Sequence, residues 1–268
     1  MKLTVEHVTT YVYDQPVRGV VQSHRLLPTQ CQNQSVERWN VTVSDGMMGG
    51  SFRDGAGDQV QAWTVTGPVE RIEVRVTGVV TTTDCAGVLR GNRELIPPVA
   101  WLGETGPTMP DSGLKALAAG ASGETALPLA HDLSARVSEA IAYTPGATDA
   151  HTTAAEALEQ GQGVCQDHAH ALIACARLRA LPARYVSGYL FTDSDGTGHE
   201  AAHAWAEIWI EGLGWVGFDP ANACCPDERY IRLGCGADAA AAAPIRGIAR
   251  GPGSERMEIA VAIASAQQ

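Results

Sequence analysis

The chain has 268 residues, 45% of them hydrophobic and 18% charged, with 30 Asp and Glu against 19 Lys and Arg for a formal net charge of −11. That length and apolar content suit one large domain or two small ones around a substantial core and exclude a disordered chain. The negative balance, the lack of a Lys/Arg cluster and the lack of any run near the ~20 apolar residues needed to span a bilayer argue against nucleic acid and membrane as partners.

Lys2, Glu6, His7 and three threonines break the apolar pattern of residues 1–13, so no signal peptide is read there and a soluble cytoplasmic protein is expected. The next eighty residues read as strands. Arg71, Glu73 and Arg75 alternate with Ile72, Val74 and Val76, and Trp39, Val41 and Val43 alternate likewise, as do Trp63 and Val65. Period-2 patterning of this kind puts one face in the core. Clusters at Ser44 to Gly50 and Asp54 to Asp58 read as turns. An antiparallel β domain is expected over residues 1–90.

After Pro97 and Pro98, a connecting helical region over 91–150 is expected. Leu129, Leu133, Val137, Ala140 and Ile141 fall on one helix face, with Pro145 and Gly146 as a stop. Thr153 and Glu156 have capping-box spacing for a short helix ending near Gly161. Val164 to Arg179 predicts a longer helix on which Cys165, Ala169, Leu172, Ile173 and Ala176 share a stripe. Strands follow at Ala183 to Leu190, Ala202 to Ile210 and Trp215 to Phe218, with Gly212 and Gly214 in a hairpin turn. A helix followed by antiparallel strands defines an α+β core over 151–235. A C-terminal extension over 236–268 holds an alanine run, Ala237 to Ala243, read as a surface helical turn, and a closing strand in which Met257, Ile259, Val261 and Ile263 alternate.

The seven cysteines are odd in number and scattered, the pattern of reduced thiols, one of which can serve as a reagent. Cys165 opens the long helix behind Gly161-Gln162-Gly163, where unpaired N–H groups and the helix dipole favour a thiolate. By position alone it is either a nucleophile or a small buried hydrophobe. On the Ala202 to Ile210 strand, the even-numbered residues form the expected core face, and His203, Trp205, Glu207 and Trp209 project from the other. Asp219 ends the next strand before Pro220. His203 and Asp219 share a face only if the connection has an odd number of residues, such as Ile210 to Gly214; Asp219 then falls opposite Trp205 and diagonal to His203.

The segments GVCQD (163–167), ARYVSGYL (183–190), HAWAE (203–207), GWVGFDP (214–220) and DERYIR (227–232) together resemble the bacterial transglutaminase-like proteins, within the papain-like superfamily of cysteine enzymes. The resemblance implies a β-rich N-terminal domain followed by a papain-like transglutaminase core, with the cysteine helix packed on an antiparallel sheet. It also implies a triad: Cys165 as nucleophile, His203 as base and then acid, and Asp219 as the group that orients the imidazole. The substrate would be a protein or peptide, attacked at an amide or glutamine side chain through a thioester, with no metal and no cofactor. The Cys165 N–H is the first oxyanion donor, and Gln162, Tyr189 and Trp205 are candidates for a second donor or for support behind it. The chain departs from the family at His168, where an aromatic is expected, at Tyr230, where histidine is common, and at the Cys224-Cys225 pair. His168 reads as a packed histidine one turn from Cys165, and Cys224 and Cys225 read as loop or packing residues.

Two other readings compete. His199-Glu200-Ala201-Ala202-His203 spells the HExxH zinc-peptidase motif, but on an extended chain its histidines lie about 13 Å apart, too far to share one ion. The same fold can also serve as a binding module without catalysis.

Overall fold

The computed structural model describes residues 1–192 and 202–265. In chain order the elements are β1 (Lys2–His24), β2 (Gln34–Val43), β3 (Gly46–Arg53), β4 (Gln59–Thr82), α1 (Ser112–Gly120), α2 (Ala126–Ala140), β5 (Ala142–Tyr143), α3 (Ala154–Gln160), β6 (Gln162–Gly163), α4 (Cys165–Leu178), β7 (Ala183–Leu190), β8 (Ala202–Ile210), β9 (Gly214–Phe218), β10 (Tyr230–Gly236), β11 (Ile245–Ala249) and β12 (Glu255–Ser265). The fold is α+β, as the patterning predicts.

Two long strands form the axis of the first sheet. β1 pairs antiparallel with β4 from Lys2↔Thr81 to His24↔Gln61, with register shifts between Val12 and Val17 and between Val17 and Gly19. Irregularities of this kind bend and twist a ladder, and here each half of the pair has its own flanking strands. β12 covers Leu3 to Tyr13 of β1, and β11 covers Val20 to His24. On the other side β2 and β3 lie in succession along β4. The turn between them is only Ser44 and Asp45, the latter at φ 52°, rather than the whole of Ser44 to Gly50. The alternation in residues 71–76 does what period-2 patterning requires: Ile72, Val74 and Val76 join Leu3, Val5, Tyr11 and Val41 in one core. The closing strand is β12, whose apolar residues are unequally covered: Val261 is buried, while Met257 and Ile259 are exposed.

The second sheet has the order β10-β7-β8-β9 and is antiparallel throughout. The helix α4 packs against it and is enclosed by α1, α2 and α3. Every residue from Asp167 to Arg177 is buried, so the single apolar stripe understates the helix; four alanines among these residues give it little girth, and its buried Asp167, His168, His170 and Arg177 each have a hydrogen-bond partner. The capping box of α3 is present, with Thr153 and Glu156 exchanging hydrogen bonds and Gly161 at φ 66° as the C-cap. Two expectations are corrected. The helix α2 stops at Ala140, five residues before Pro145, because the chain turns there into β5, which pairs with β6. The alanine run is a turn pressed into the core: Ala242 is wholly buried, and the Ala239 N–H donates to His170 Nε2 at 3.0 Å.

The two sheets share contacts through β7 and β10. Tyr189, Ile231 and Leu233 complete the core of the first sheet. The guanidinium of Arg232 reaches Asp58 at 3.0 Å, and Tyr189 Oη lies 2.6 Å from His7 Nδ1. Among the described residues no helix is long and apolar enough to cross a membrane.

Burial pushes His7, His24 and His170 each down to about 4. They are therefore neutral in the folded protein at a pH where the unfolded chain, with histidines near 6.5, takes up protons. Between those values the unfolded state binds more protons, so stability is lost as pH falls from about 6.5 towards 4, by up to about 1.4 kcal/mol per histidine for each pH unit. Thermal unfolding followed across that interval should show a steep decline in midpoint; a flat profile would contradict it.

Candidate active site

Cys165 is the first residue of α4, and its placement is built by its neighbours. The parallel pairing of Ala142 with Gln162 and Tyr143 with Gly163 fixes the approach to the helix. Val164 takes an extended N-cap conformation, and the buried Asp167 carboxylate accepts its N–H at 2.8 Å and the Thr148 hydroxyl at 2.6 Å. A Cβ on Gly163 would stand 2.7 Å from Asp167 Oδ2, so only glycine allows the carboxylate this close. His168 is a packed histidine: its two ring nitrogens lie 2.9 Å from the Val164 carbonyl and 2.8 Å from that of Ile141, tying α4 to the end of α2. Cys175, deeper in α4, is buried, with its thiol pushed up to about 12 by that burial.

The hairpin has the odd connection that the register argument requires. Ile210 pairs with Gly214, Trp209 with Trp215 and Ala206 with Phe218. His203, second in β8, and Asp219, directly after β9, meet with Nε2 to Oδ2 at 2.6 Å. Cys165 stands near enough to the same imidazole to favour its charged form. Burial opposes charge on His203, but the hydrogen bond with Asp219 and the nearby Cys165 outweigh it and push the imidazole up to about 10. Burial would raise the Asp219 carboxyl, yet His203, Asn222 and Tyr230 together hold it below the usual carboxylate range.

Asp219 has more partners than sequence reading assigns it. Oδ2 accepts from Asn222 Nδ2 at 2.7 Å and from the Tyr230 hydroxyl at 2.7 Å, and Oδ1 accepts the Ala221 N–H at 3.1 Å. The loop holding these groups closes through a bridge between Asp219 and Cys224, with Ala223 at φ 51°. The spacing Asp219-x-x-Asn222 after a strand is a turn signal that bears on Asn222. Tyr230 is eleven residues away, and nothing local places it here.

The remaining expected residues separate. Trp205 lies stacked against His203, with ring centroids 6.4 Å apart, and edge-on to Tyr230 at 5.4 Å, a supporting position. Gln162 is exposed on β6, three residues before Cys165. Tyr189 is corrected: its hydroxyl is engaged by His7 and its ring is buried with the first sheet, because it alternates with Gly188, the cross-strand partner of His203. The face of β8 that carries His203 is also corrected. It is covered, with Trp205 and Glu207 both buried. Glu207 accepts from Arg184 Nε at 2.7 Å and from Arg232 Nε at 2.8 Å.

A small cleft of about 60 Å³ opens at His203, lined also by Tyr143, Leu190, Thr192, Ala221 and Asn222. Of the HExxH stretch, His199, Glu200 and Ala201 lie outside the described residues, while Ala202 and His203 are in a strand. Among the described residues no group of three or more His, Cys, Asp or Glu side chains is placed to hold a metal ion.

A helix that presents a cysteine at its start to a histidine and an aspartate on an antiparallel sheet defines the papain-like class of α+β fold. Within that class, the profile of the bacterial transglutaminase-like N-terminal region matches residues 3–81 and that of the transglutaminase-like superfamily matches residues 115–220. The chain thus carries a transglutaminase-like core behind a bacterial transglutaminase-like N-terminal region. It is 28% identical to an uncharacterized protein of Mycobacterium leprae over 98% of each chain. A segment covering 34% of this chain and 15% of the other is 32% identical to a protein-glutamine gamma-glutamyltransferase of Pseudomonas aeruginosa. The crystal structure of a candidate cysteine protease from Cytophaga hutchinsonii shares the fold, with a TM-score of 0.73 at 21% identity over 100% of this chain and 92% of that one.

Proposed function

We propose that this protein is a cysteine enzyme that acts on amide bonds of protein or peptide substrates through a thioester. The observation that carries the reading is the 2.6 Å hydrogen bond between His203 and Asp219, with Cys165 at the start of α4 beside the same imidazole. The Cys165 sulfur attacks the carbonyl carbon of a carboxamide or peptide bond, with its proton held by His203. The oxyanion of the tetrahedral intermediate is met by the Cys165 N–H at the helix start, with Gln162 as the second donor; a donor of this kind is worth about 2.7 to 4 kcal/mol. As the C–N bond breaks, His203 gives its proton to the departing ammonia or amine. Water or a lysine amine then attacks the thioester, His203 takes the attacker's proton, and the C–S bond breaks to return the thiol. Asp219 keeps the imidazole oriented throughout.

Water as the acceptor makes the protein a peptidase or amidase, and an amine makes it a cross-linking acyltransferase. The test is incubation with a glutamine-containing peptide, with and without a primary amine, read by mass spectrometry for ammonia, isopeptide and cleaved peptide. The expected result is a cysteine-dependent product in one of those channels. Absence of all three across a panel of donor peptides would count against the reading.

A further inference from the structure

Four donors converge on the Asp219 carboxylate, and His203 is only one of them. On Oδ2 the imidazole at 2.6 Å is joined by Asn222 Nδ2 and the Tyr230 hydroxyl, each at 2.7 Å, while Oδ1 takes the Ala221 N–H. A carboxylate brings no proton, so Tyr230 must spend its one proton on Asp219. Cys224 Sγ, 3.3 Å from the same phenolic oxygen, is then the donor of that contact, and the line reads Cys224 S–H to Tyr230 O–H to Asp219. The ring of Tyr230 also stands edge-on to His203, with centroids 6.0 Å apart.

We propose that Tyr230, with Asn222, is a positioning residue that spreads the charge of Asp219 over several donors and so leaves the His203 imidazolium able to release its proton. This inference rests on the reading of Cys165, His203 and Asp219 as the reacting line. A buried carboxylate whose single partner is an imidazolium holds that ion tightly, and an over-stabilised imidazolium is a poor acid towards a departing amine and slow to return as a base in the second half of the cycle. Donors added to the carboxylate weaken that hold. The hydroxyl of Tyr230 therefore works through Asp219, without touching substrate.

The titratable groups around the imidazole are Cys165 from α4, Tyr143 from β5, which lines the same cleft, Asp219 and Cys224 from the loop after β9, and Tyr230 from β10. Beyond Tyr230, Asp227 and Arg229 neutralise each other, and Glu207 is paired with Arg184 and Arg232.

The test compares wild type with Tyr230→Phe, which removes the hydroxyl and keeps the ring, and with Asn222→Ala, an exposed position that spares the fold. His203 is titrated by NMR in the full-length, histidine-labelled protein, and kcat/KM is measured against pH. Each variant should move the His203 titration and the alkaline limb of kcat/KM upward by roughly half to one pH unit, with kcat lowered roughly 3- to 10-fold and KM little changed. An unmoved His203 titration in both variants would overturn the proposal, whatever happened to activity, since a purely structural role lowers rate without shifting the limb. The NMR titration needs no substrate and judges the tuning separately, whereas turnover that survives in Cys165→Ala would refute the enzyme reading beneath it.

Discussion

Cys165→Ala should leave the fold in place and reduce turnover to background. The sulfur lies at the edge of the α4 core, half-buried, and its backbone is held by the Asp167 cap and by the pairing of β5 with β6, so the cost to stability should stay within about 1 kcal/mol. The chemical loss is of a different order, because without sulfur the thioester cannot form and orientation and oxyanion stabilisation have nothing to act on. Removal of the nucleophile from a triad costs about 10⁶-fold in kcat in a well-studied protease. Progress curves on a donor peptide, beside thermal unfolding of both proteins, read the two quantities. Cys175→Ala is the control, since that thiol is buried in α4 with the Leu114 carbonyl as its partner. Turnover retained in Cys165→Ala would remove the proposed mechanism.

The largest effect on stability should come from Glu207→Ala. Glu207 is buried between Arg184, which is wholly buried, and Arg232, and the two arginines oppose the desolvation that would raise its carboxyl, holding it down at about 2. Arg184 also reaches Glu94 at 2.5 Å and lies over the Trp215 ring at 3.9 Å, while Arg232 reaches Asp58 on the first sheet. Deleting Glu207 leaves two guanidinium groups buried with one carboxylate fewer between them, a class of change that costs about 3 to 5 kcal/mol. For a chain of this size that lowers the unfolding midpoint by on the order of 10 °C. Calorimetry of wild type and variant checks it, and a midpoint within about 2 °C of wild type would show that the network is dispensable.

Much of this arrangement was legible because it depends on short-range rules. The bounds of β8 follow from alternation, and the meeting of His203 with Asp219 follows from counting the residues between Ile210 and Gly214. The α3 cap follows from two residues three apart. What escaped depends on contacts distant in sequence. The face of β8 opposite the expected core face carries Glu207, yet Arg184 and Arg232, the former also paired with Glu94, neutralise it from other parts of the chain and allow burial. Tyr189 looked available to the site only because its hydroxyl's partner, His7, lies at the other end of the sequence. Tyr230 was visible as a departure from the family pattern, but its aim at Asp219 is a tertiary fact.

The pairing of β12 with β1 has a consequence for biosynthesis. Leu3 leaves the ribosome long before its ladder partner Ser265. Contacts of such long sequence separation close slowly, and a chain made at roughly 5 to 20 residues per second leaves one border of β1 bare until translation has passed the whole of α4 and the second sheet. During that interval the nascent sheet offers a vacant edge on which a holding chaperone, or a neighbouring nascent chain, can compete with its own late-arriving strand.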